Sequence, residues 1–135
     1  GLSADPALQV DAITTEQSGH EAASVLLARG AVFDAVFAAS DLIAVGAMKA
    51  LLEHGRRVPH DVAVAGFDDI PLAQYCDPPL TTIAQPAEGF GRRAVEMLIN
   101  LIEKKPNPQQ HVTLPFELTI RESTAAPSVR RAEKA

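Results

Sequence analysis

The sequence contains little of what several classes of protein require. Its single cysteine, Cys76, excludes an internal disulfide and fits a reducing compartment such as the cytoplasm. Aromatic residues make up 4% of the chain and tryptophan is absent, so the core must be aliphatic. No apolar run approaches the roughly 20 residues that a membrane-spanning helix needs. A net charge of -5 disfavours nucleic-acid binding by this chain alone, because phosphates are neutralised by clustered lysine and arginine.

The two ends of the chain show no targeting signal and no regular pattern. Residues 1–5 lack a basic region followed by an apolar one, so we expect no signal peptide. Because the chain does not begin with methionine, we expect it to be a piece of a longer protein. Residues 123–135 are small, charged and proline-containing, which predicts a disordered tail. Between the ends, 47% hydrophobic residues in a chain of 135 suffice for one compact domain.

Short apolar runs alternate with stretches of helical periodicity along the chain. The valine-rich or alternating runs predict strands over residues 9–14, 36–38, 62–66, 80–84 and 111–122. The helical stretches predict helices over residues 15–29, 41–53, 70–75 and 88–105. This succession is typical of an α/β fold with a mostly parallel sheet flanked by helices. Pro115 confines the last strand to an edge of the sheet or to a break in its ladder.

Polar side chains follow two of the predicted strands. The third strand, at 62–66, runs into Phe67, Asp68 and Asp69, and the second runs into Ser40 and Asp41. In open α/β sheets, ligands bind in the crevice beyond the carboxyl ends of the strands. A carboxylate there can accept hydrogen bonds from neighbouring hydroxyls of a ligand, and Phe67 could supply an apolar wall. If the two strands are parallel neighbours, these groups converge on one rim.

The same residues also have purely structural interpretations. Ser40 is a good N-cap for the helix at 41–53, and Asp41 suits the positive end of that helix dipole. For these two residues we favour capping as the principal role. Asp69 could cap the turn before Pro71. That would leave Asp68 free, so we favour ligand binding for Asp68.

Catalysis and metal binding find little support in the sequence. Asp68 and Asp69 are adjacent, and neighbours on an extended segment point in opposite directions, so the two do not easily face one substrate. Cys76 has no evident histidine partner, and no phosphate-binding or nucleophile motif is present. No histidine shows the spacing of a metal ligand with a cysteine or a carboxylate, and the four are His20, His54, His60 and His111. We therefore expect a protein that is not an enzyme and needs no cofactor.

Several ordered segments together resemble one known family. They closely resemble the C-terminal part of the effector-binding domain of LacI/GalR-type transcriptional repressors. The resemblance covers about residues 10–125. The segments that carry it are Phe37-Ala38-Ala39-Ser40-Asp41-Leu42-Ile43-Ala44-Val45-Gly46-Ala47, Val58-Pro59 to Ile70-Pro71, Asp77-Pro78-Pro79-Leu80-Thr81-Thr82-Ile83 and Arg121-Glu122-Ser123.

The resemblance implies a periplasmic-binding-protein-like type I fold, in which three crossover strands join two α/β lobes. Such regulators carry an N-terminal helix-turn-helix headpiece that binds operator DNA as a dimer. A small molecule in the cleft between the lobes sets the affinity for DNA. The resemblance places residues 1–79 and 106–122 in the C-terminal lobe. Residues 80–105 would be a crossover strand and helix that return to the N-terminal lobe, which this chain mostly lacks together with the headpiece.

The resemblance also implies which residues bind the effector, expected to be a sugar or a related polar metabolite. Asp68 matches the aspartate that typically binds effector hydroxyls or polar ring atoms. Ser40 stands where the family often has asparagine, and with Asp41 it would lie at the cleft. Thr14 falls where many members place a stacking aromatic residue, which puts a stacked sugar or purine ring in doubt. Gln85, in a crossover, would also face the cleft.

A homodimer surface is implied as well. The helix at 41–53 is apolar on more of its circumference than one contact with a sheet requires. By the resemblance, this helix and the segment 72–76 match the dimer surface of the family. The residues concerned are Val45, Met48, Leu52, Leu72, Tyr75 and Cys76.

The helix at 88–105 should carry an apolar stripe that needs a partner. Phe90, Ala94, Met97, Leu98, Leu101 and Ile102 fall on one side of it. Without the N-terminal lobe, we expect this stripe to pack against another copy of the chain, against a swapped copy, or against the C-terminal lobe itself.

Three functions compete at this level. The first is the effector-binding and dimerising part of a cytoplasmic LacI-type regulator, which meets operator DNA only through the missing headpiece. The second is a fragment of a periplasmic sugar-binding protein of a transporter, which shares the fold and meets a permease. The third is a structural or dimerisation fragment that binds no ligand. The Arg121-Glu122-Ser123 ending and the segment 77–82 favour the first.

Overall fold

The structure is a computed structural model that describes residues 5–105 and 111–124. In these ranges one sheet of four strands is accompanied by three α-helices. The helices are α1 (Glu16–Ala28), α2 (Asp41–Glu53) and α3 (Ala87–Ile102). The strands are β1 (Ala35–Phe37), β2 (Ala63–Asp68), β3 (Thr81–Ala84) and β4 (Glu117–Thr119). Short 3-10 turns cover Pro6–Leu8, Pro71–Gln74 and Glu122–Thr124.

The strands lie side by side in the order β1, β2, β3, β4. The first three are parallel, and β4 runs antiparallel to β3. The predicted mostly parallel α/β sheet is therefore confirmed. So is the edge position of the last strand, although only Glu117–Thr119 of the predicted range 111–122 forms a ladder.

Two strand predictions need correction. The strand predicted at 9–14 does not form, because that segment has no strand partner in the described ranges; Gln9 to Ala12 instead line a groove beside β1. The apolar run at 36–38 is typical of a buried strand, but β1 pairs on one side only, and its Phe37 is 66% exposed. An edge strand buries less of its side chains than a strand with two neighbours.

Helices α1 and α2 pack with their backbones in contact. A Cβ atom on Gly19 would lie 2.1 Å from the carbonyl oxygen of Ile43, and one on Gly46 would lie 1.9 Å from that of Glu16. Only glycine fits at such a crossing. The two helices are also joined by a side-chain contact, in which Nε2 of His20, near the start of α1, lies 2.6 Å from Oε2 of Glu53, the last residue of α2.

The core lies between α2 and the sheet and is aliphatic, as predicted. Leu51, Val64 and Leu80 are among its largest fully buried side chains. Partly buried Phe33 and Leu27 pack against its margin. The buried members of this cluster are Ala38, Ile43, Ala44, Met48, Leu51, Val62, Val64, Ala73 and Leu80.

Helix α3 stands apart from this core. None of its residues is buried, and Phe90, Leu98 and Ile102 are 44%, 56% and 71% exposed. In the described ranges the rest of the chain leaves the apolar stripe largely exposed, so the expected packing against the chain itself is not found. Helix α2 packs against β2, whereas α3 makes no comparable contact with any strand of the described ranges. No helix in the described ranges has the length and apolarity to cross a membrane.

The predicted disordered tail begins too early. Residues 123 and 124 belong to the turn Glu122–Thr124, and Ser123 is completely buried. Its hydroxyl holds it there, because it accepts a hydrogen bond from the N–H of Thr81 and donates one to the carbonyl of Val64. The rest of the predicted tail, 125–135, lies outside the described residues.

Candidate functional site

The end of β2 and the segment after β3 bring two predicted site residues together. Nε2 of Gln85 donates a 2.6 Å hydrogen bond to Oδ1 of Asp68, and both side chains are half-buried. Asp68 pairs with Ala84 in the parallel ladder, which places Gln85 next to it. Within the described residues, Oδ2 of Asp68 accepts no hydrogen bond. The carboxylate therefore keeps one oxygen for a ligand donor, and Gln85 keeps its amide oxygen as a second acceptor.

The backbone at this point is unusual. Asp68 has φ 113° and Asp69 has φ 53°, both in the left-handed region that side chains other than glycine rarely adopt. The chain then returns to an extended conformation at Ile70, with φ -65° and ψ 154°. This double kink turns the chain out of β2 and sets the direction of the Asp68 side chain.

Asp41 lies beneath this kink and is fully buried. Its Oδ1 accepts a 2.5 Å hydrogen bond from Oγ1 of Thr82, and its Oδ2 accepts one of 2.9 Å from the backbone N–H of Ile70. Gly66 makes room for the carboxylate, since a Cβ there would lie 2.3 Å from Oδ1. Both oxygens are engaged inside the protein. The predicted effector contact of Asp41 is therefore not supported, and its side chain joins α2, β3 and the segment that follows β2.

Ser40 is 3% exposed and acts as the N-cap of α2. Its Oγ accepts a hydrogen bond of 3.3 Å from the backbone N–H of Ile43. The capping role favoured from sequence is confirmed. Because a buried hydroxyl that already caps a helix offers no surface to a ligand, the predicted effector contact of Ser40 is not supported.

Phe67 and Thr14 are less closely tied to Asp68. Phe67 is half-buried in β2, opposite Ile83 of β3, and successive strand residues point to opposite faces of a sheet. Thr14 lies in the bend before α1 with an exposed side chain. In the described ranges no hydrogen bond joins Thr14 to Asp68 or Gln85. The roles of Phe67 and Thr14 stay predictions.

Arg121 is a site residue that the sequence analysis missed. Its Nη2 donates a 2.7 Å hydrogen bond to Oδ1 of Asp69, and its Nη1 donates one of 2.8 Å to the carbonyl of Leu80. Asp69 is thus held by Arg121. It does not cap the turn before Pro71, although the sequence had suggested that role. The two partners are 52 positions apart, so no local spacing could have revealed the pair. The only available signal was the Arg121-Glu122-Ser123 motif, which carried no role.

The predicted dimer residues gather around one surface groove. The groove, of about 480 Å³, is lined by five of the six predicted residues and by basic side chains from Lys49, Arg56 and Arg57. Tyr75, the sixth, lies next to it and is 77% exposed. The five lining residues are Val45, Met48, Leu52, Leu72 and Cys76. We call this set, with Tyr75, the groove surface.

Two members of the groove surface also serve the fold. Met48 is buried and belongs to the core cluster. Burial, the largest effect, and the charge of Asp41 raise the pKa of the Cys76 thiol, whose Sγ donates a 3.3 Å hydrogen bond to the carbonyl of Leu72. The thiol is therefore protonated at neutral pH.

In the ranges 5–105 and 111–124, no three His, Cys, Asp or Glu side chains are grouped so that they could hold a metal.

Comparison with known families decides where the chain belongs. The family described as periplasmic binding protein-like domain matches residues 4–124. The chain belongs to this family. Its relatives are transcriptional regulators, several of them of the LacI family, and the chain matches a part of most of them.

Individual relatives of this periplasmic binding protein-like chain are similar over most of its length. The transcriptional regulator CelR of Thermobifida fusca is 40% identical over 123 residues, which are 91% of this chain and 36% of that protein. A lactose operon repressor of Rhizobium radiobacter is 40% identical over 83% of this chain and 98% of its own sequence. Except for that repressor, the first curated relatives are much longer, and the chain spans 36% of CelR and 37% of MalR of Streptomyces coelicolor.

Solved structures agree with this assignment. A complex of the transcriptional regulator CelR with cellobiose has a TM-score of 0.86 and 39% identity, covering 90% of this chain and 37% of that one. A LacI family regulator from Arthrobacter sp. FB24, in complex with lactose, has a TM-score of 0.73 and 40% identity, covering 84% of this chain and 43% of that one.

Proposed function

We propose that this chain is the effector-binding and dimerising part of a LacI-type transcriptional regulator that responds to a neutral sugar. The observation that carries the proposal is the Asp68 carboxylate at the exit of β2, held by Gln85 with one oxygen left for a ligand. The family membership and the sugar complexes of two relatives support it. A regulator of this kind works in the cytoplasm, where its DNA is, and has no catalytic step.

The chemistry of the two side chains selects the ligand. A carboxylate and an amide oxygen are acceptors, so they suit a ligand that presents hydroxyl donors. The negative charge of Asp68 would repel a phosphate or carboxylate at the same place. Neutral polyhydroxyl compounds meet both conditions. In this proposal Asp68 and Gln85 bind the effector directly, and Phe67 and Thr14 line the cleft around them.

The domain assignment and the partners follow from the same proposal. Residues 1–79 and 106–122 would form the C-terminal lobe, and 80–105 would return to the N-terminal lobe, which gives α3 its partner. Operator DNA would be bound only through a headpiece outside this chain, in keeping with the net charge of -5. The groove surface, apolar and centred on α2, would form a homodimer interface.

The other two functions have less support. A sugar-binding protein of a transporter shares the fold, but the relatives described above are transcriptional regulators. A purely structural fragment has no need of a half-buried carboxylate held at the exit of a strand with an oxygen left over.

The test uses the full-length regulator and its operator. Cellobiose and lactose are titrated into the regulator–operator complex, and the change in DNA affinity is followed by fluorescence anisotropy. We expect one of the sugars to change the operator affinity of the wild type, and Asp68→Ala to abolish that change without altering DNA binding in the absence of sugar. Asp34→Ala is the control, because Asp34 lies at the opposite ends of the strands, just before β1. An unchanged sugar response of Asp68→Ala would overturn the assignment of the site.

A further inference from the structure

We infer that three side chains outside the effector contacts, Asp41, Thr82 and Arg121, are positioning residues that hold Asp68 in its binding conformation. The inference rests on the proposed function, since it concerns how the same site is made ready for a sugar. It assigns a role to the buried polar network under the loop at the end of β2, defined as the last strand residue and the two that follow, 68–70.

The loop needs to be held because its backbone is strained. Two consecutive residues, Asp68 at φ 113° and Asp69 at φ 53°, adopt left-handed conformations without being glycine. Such conformations persist only where the surrounding structure determines them, and they are common at binding sites. If the loop relaxed, the Asp68 carboxylate would leave the place beside Gln85.

Each of the three side chains makes a hydrogen bond to a different group of the loop. Oδ2 of Asp41 accepts from the N–H of Ile70 at 2.9 Å, and Oγ1 of Thr82 accepts from the N–H of Asp69 at 3.3 Å. Nη2 of Arg121 donates to Oδ1 of Asp69 at 2.7 Å. The three side chains that make these hydrogen bonds belong to different parts of the chain, namely the start of α2, β3 and the segment after β4.

The three side chains are also linked to their surroundings by further hydrogen bonds and are largely shielded from water. Thr82 and Asp41 are fully buried and joined to each other by the 2.5 Å hydrogen bond. Arg121, with 19% of its side chain exposed, is anchored to β3 through the carbonyl of Leu80. A buried network whose members are all satisfied rigidifies what it holds. Among the described residues none of the three donates to or accepts from the Asp68 carboxylate. Asp41 and Thr82 act on it through the backbone, and Arg121 acts through the side chain of Asp69.

A double-mutant cycle in the full-length regulator separates positioning from general stability. Thr82→Val removes the hydroxyl and keeps the shape of the side chain, and Asp68→Asn weakens the sugar contact itself. Cellobiose affinity is measured by calorimetry for the wild type, both single variants and the double variant. We expect Thr82→Val to weaken cellobiose binding about tenfold, within the usual range of coupling between neighbouring groups. In the Asp68→Asn background the same substitution should have almost no further effect.

Two further variants keep the test decisive. Thr82→Ser retains the hydroxyl and should bind cellobiose nearly as well as the wild type. Arg121→Lys keeps the charge and loses the fork that spans Asp69 and Leu80, so it should weaken binding even if Thr82→Val folds poorly. Val62→Ala is the stability control, because Val62 is buried at the other end of β2, and it should lower stability without changing the affinity.

The outcomes distinguish this inference from the proposed function. If the wild type binds cellobiose and Thr82→Val lowers the affinity by the same factor in both backgrounds, the positioning role is overturned while the sugar site stands. An affinity that stays unchanged in Thr82→Val and Arg121→Lys would overturn it equally. If the wild type binds neither cellobiose nor lactose, the proposed function fails and the positioning role fails with it.

Discussion

Ser123 donates a 2.6 Å hydrogen bond from its buried hydroxyl to the carbonyl of Val64, 59 positions earlier in the chain. The same oxygen accepts a 2.8 Å hydrogen bond from the N–H of Thr81. One side chain that follows β4 therefore satisfies a backbone carbonyl of β2 and a backbone N–H of β3. It closes the sheet at the place where an N–H and a carbonyl would otherwise be buried without partners.

Ser123→Ala should destabilise the chain substantially. The substitution leaves the Thr81 N–H and the Val64 carbonyl unsatisfied in the interior, and each such group costs about 1–3 kcal/mol. The free energy of unfolding, measured by urea denaturation of the full-length protein, should fall accordingly. Ser24→Ala is the matched control, because Ser24 only donates back to the carbonyl of His20 within α1, and its loss should cost little. Equal effects of the two substitutions would contradict the bridging role of Ser123.

Gly66→Ala should be the most harmful of the small substitutions in the sheet. The added Cβ would lie 2.3 Å from Oδ1 of Asp41 and 3.1 Å from Cδ2 of Leu80. Forcing a methyl group into such a site costs about 1–3 kcal/mol, or more if the Asp41 carboxylate loses its partners. Gly91→Ala is the comparison: nothing lies within 4 Å of its added Cβ, and alanine should stabilise α3 by up to about 1 kcal/mol. Thermal unfolding of both variants checks the contrast, and a tolerant Gly66 would mean that Asp41 can move.

The ion pair between α1 and α2 predicts a pH dependence of stability. The hydrogen bond from His20 holds the pKa of the Glu53 carboxyl below its ordinary value of 4.5. A carboxyl with a lowered pKa in the folded state stabilises that state above its unfolded pKa, and the effect is lost as the pH falls through the folded pKa. Glu53→Gln should therefore be less stable than the wild type at about pH 6 and equally stable at about pH 3, by urea denaturation.

The control for that measurement is Glu117→Gln, an exposed carboxylate in β4. It should show no such change of its effect with pH. If Glu53→Gln remains less stable than the wild type by the same amount at acid pH, the ion pair is not the cause of its lower stability.

The groove surface predicts a change of oligomeric state. Leu52 is 72% exposed on α2 and lies among the apolar residues of the groove. Leu52→Asp would bury a charge in the proposed dimer interface, and we expect the dissociation constant of the full-length dimer to rise about tenfold or more. Analytical ultracentrifugation measures it. Val25→Asp, on the partly exposed face of α1 away from the groove, should leave the dimer intact. If both variants dimerise like the wild type, the interface lies elsewhere.

The parts of the fold that depend on local signals were predictable from the sequence. The bounds of α2 follow from the cap at Ser40 and from Gly55, whose φ of 70° ends the helix in the left-handed region. The parallel direction of β1 and β2 follows from the helix α2 that lies between them in the chain. The strand predicted at 9–14 failed because a strand needs a neighbour, which a sequence pattern does not supply.

The candidate site was predictable only in outline. The carboxylate pair after β2 drew attention to the right place, since Asp68 meets Gln85 there. The separate roles of the three aspartates were not predictable. Asp41 is hydrogen-bonded to Thr82, 41 positions away in the sequence, and Asp69 to Arg121, 52 positions away. Such pairs depend on how the strands are laid side by side, and no spacing along the chain encodes them.

The isolation of α3 has a consequence for how the chain opens. Because no residue of Ala87–Ile102 is buried, its backbone hydrogen bonds are held by the helix alone. An unsupported helix of this length is marginal in water. In this chain its amides should exchange with deuterium far faster than those of β2 and β3, which lie between neighbours. The helix would then behave as a separate unit of local unfolding, and a binding partner on its apolar stripe would be visible as a slowing of exchange there before any change in the sheet.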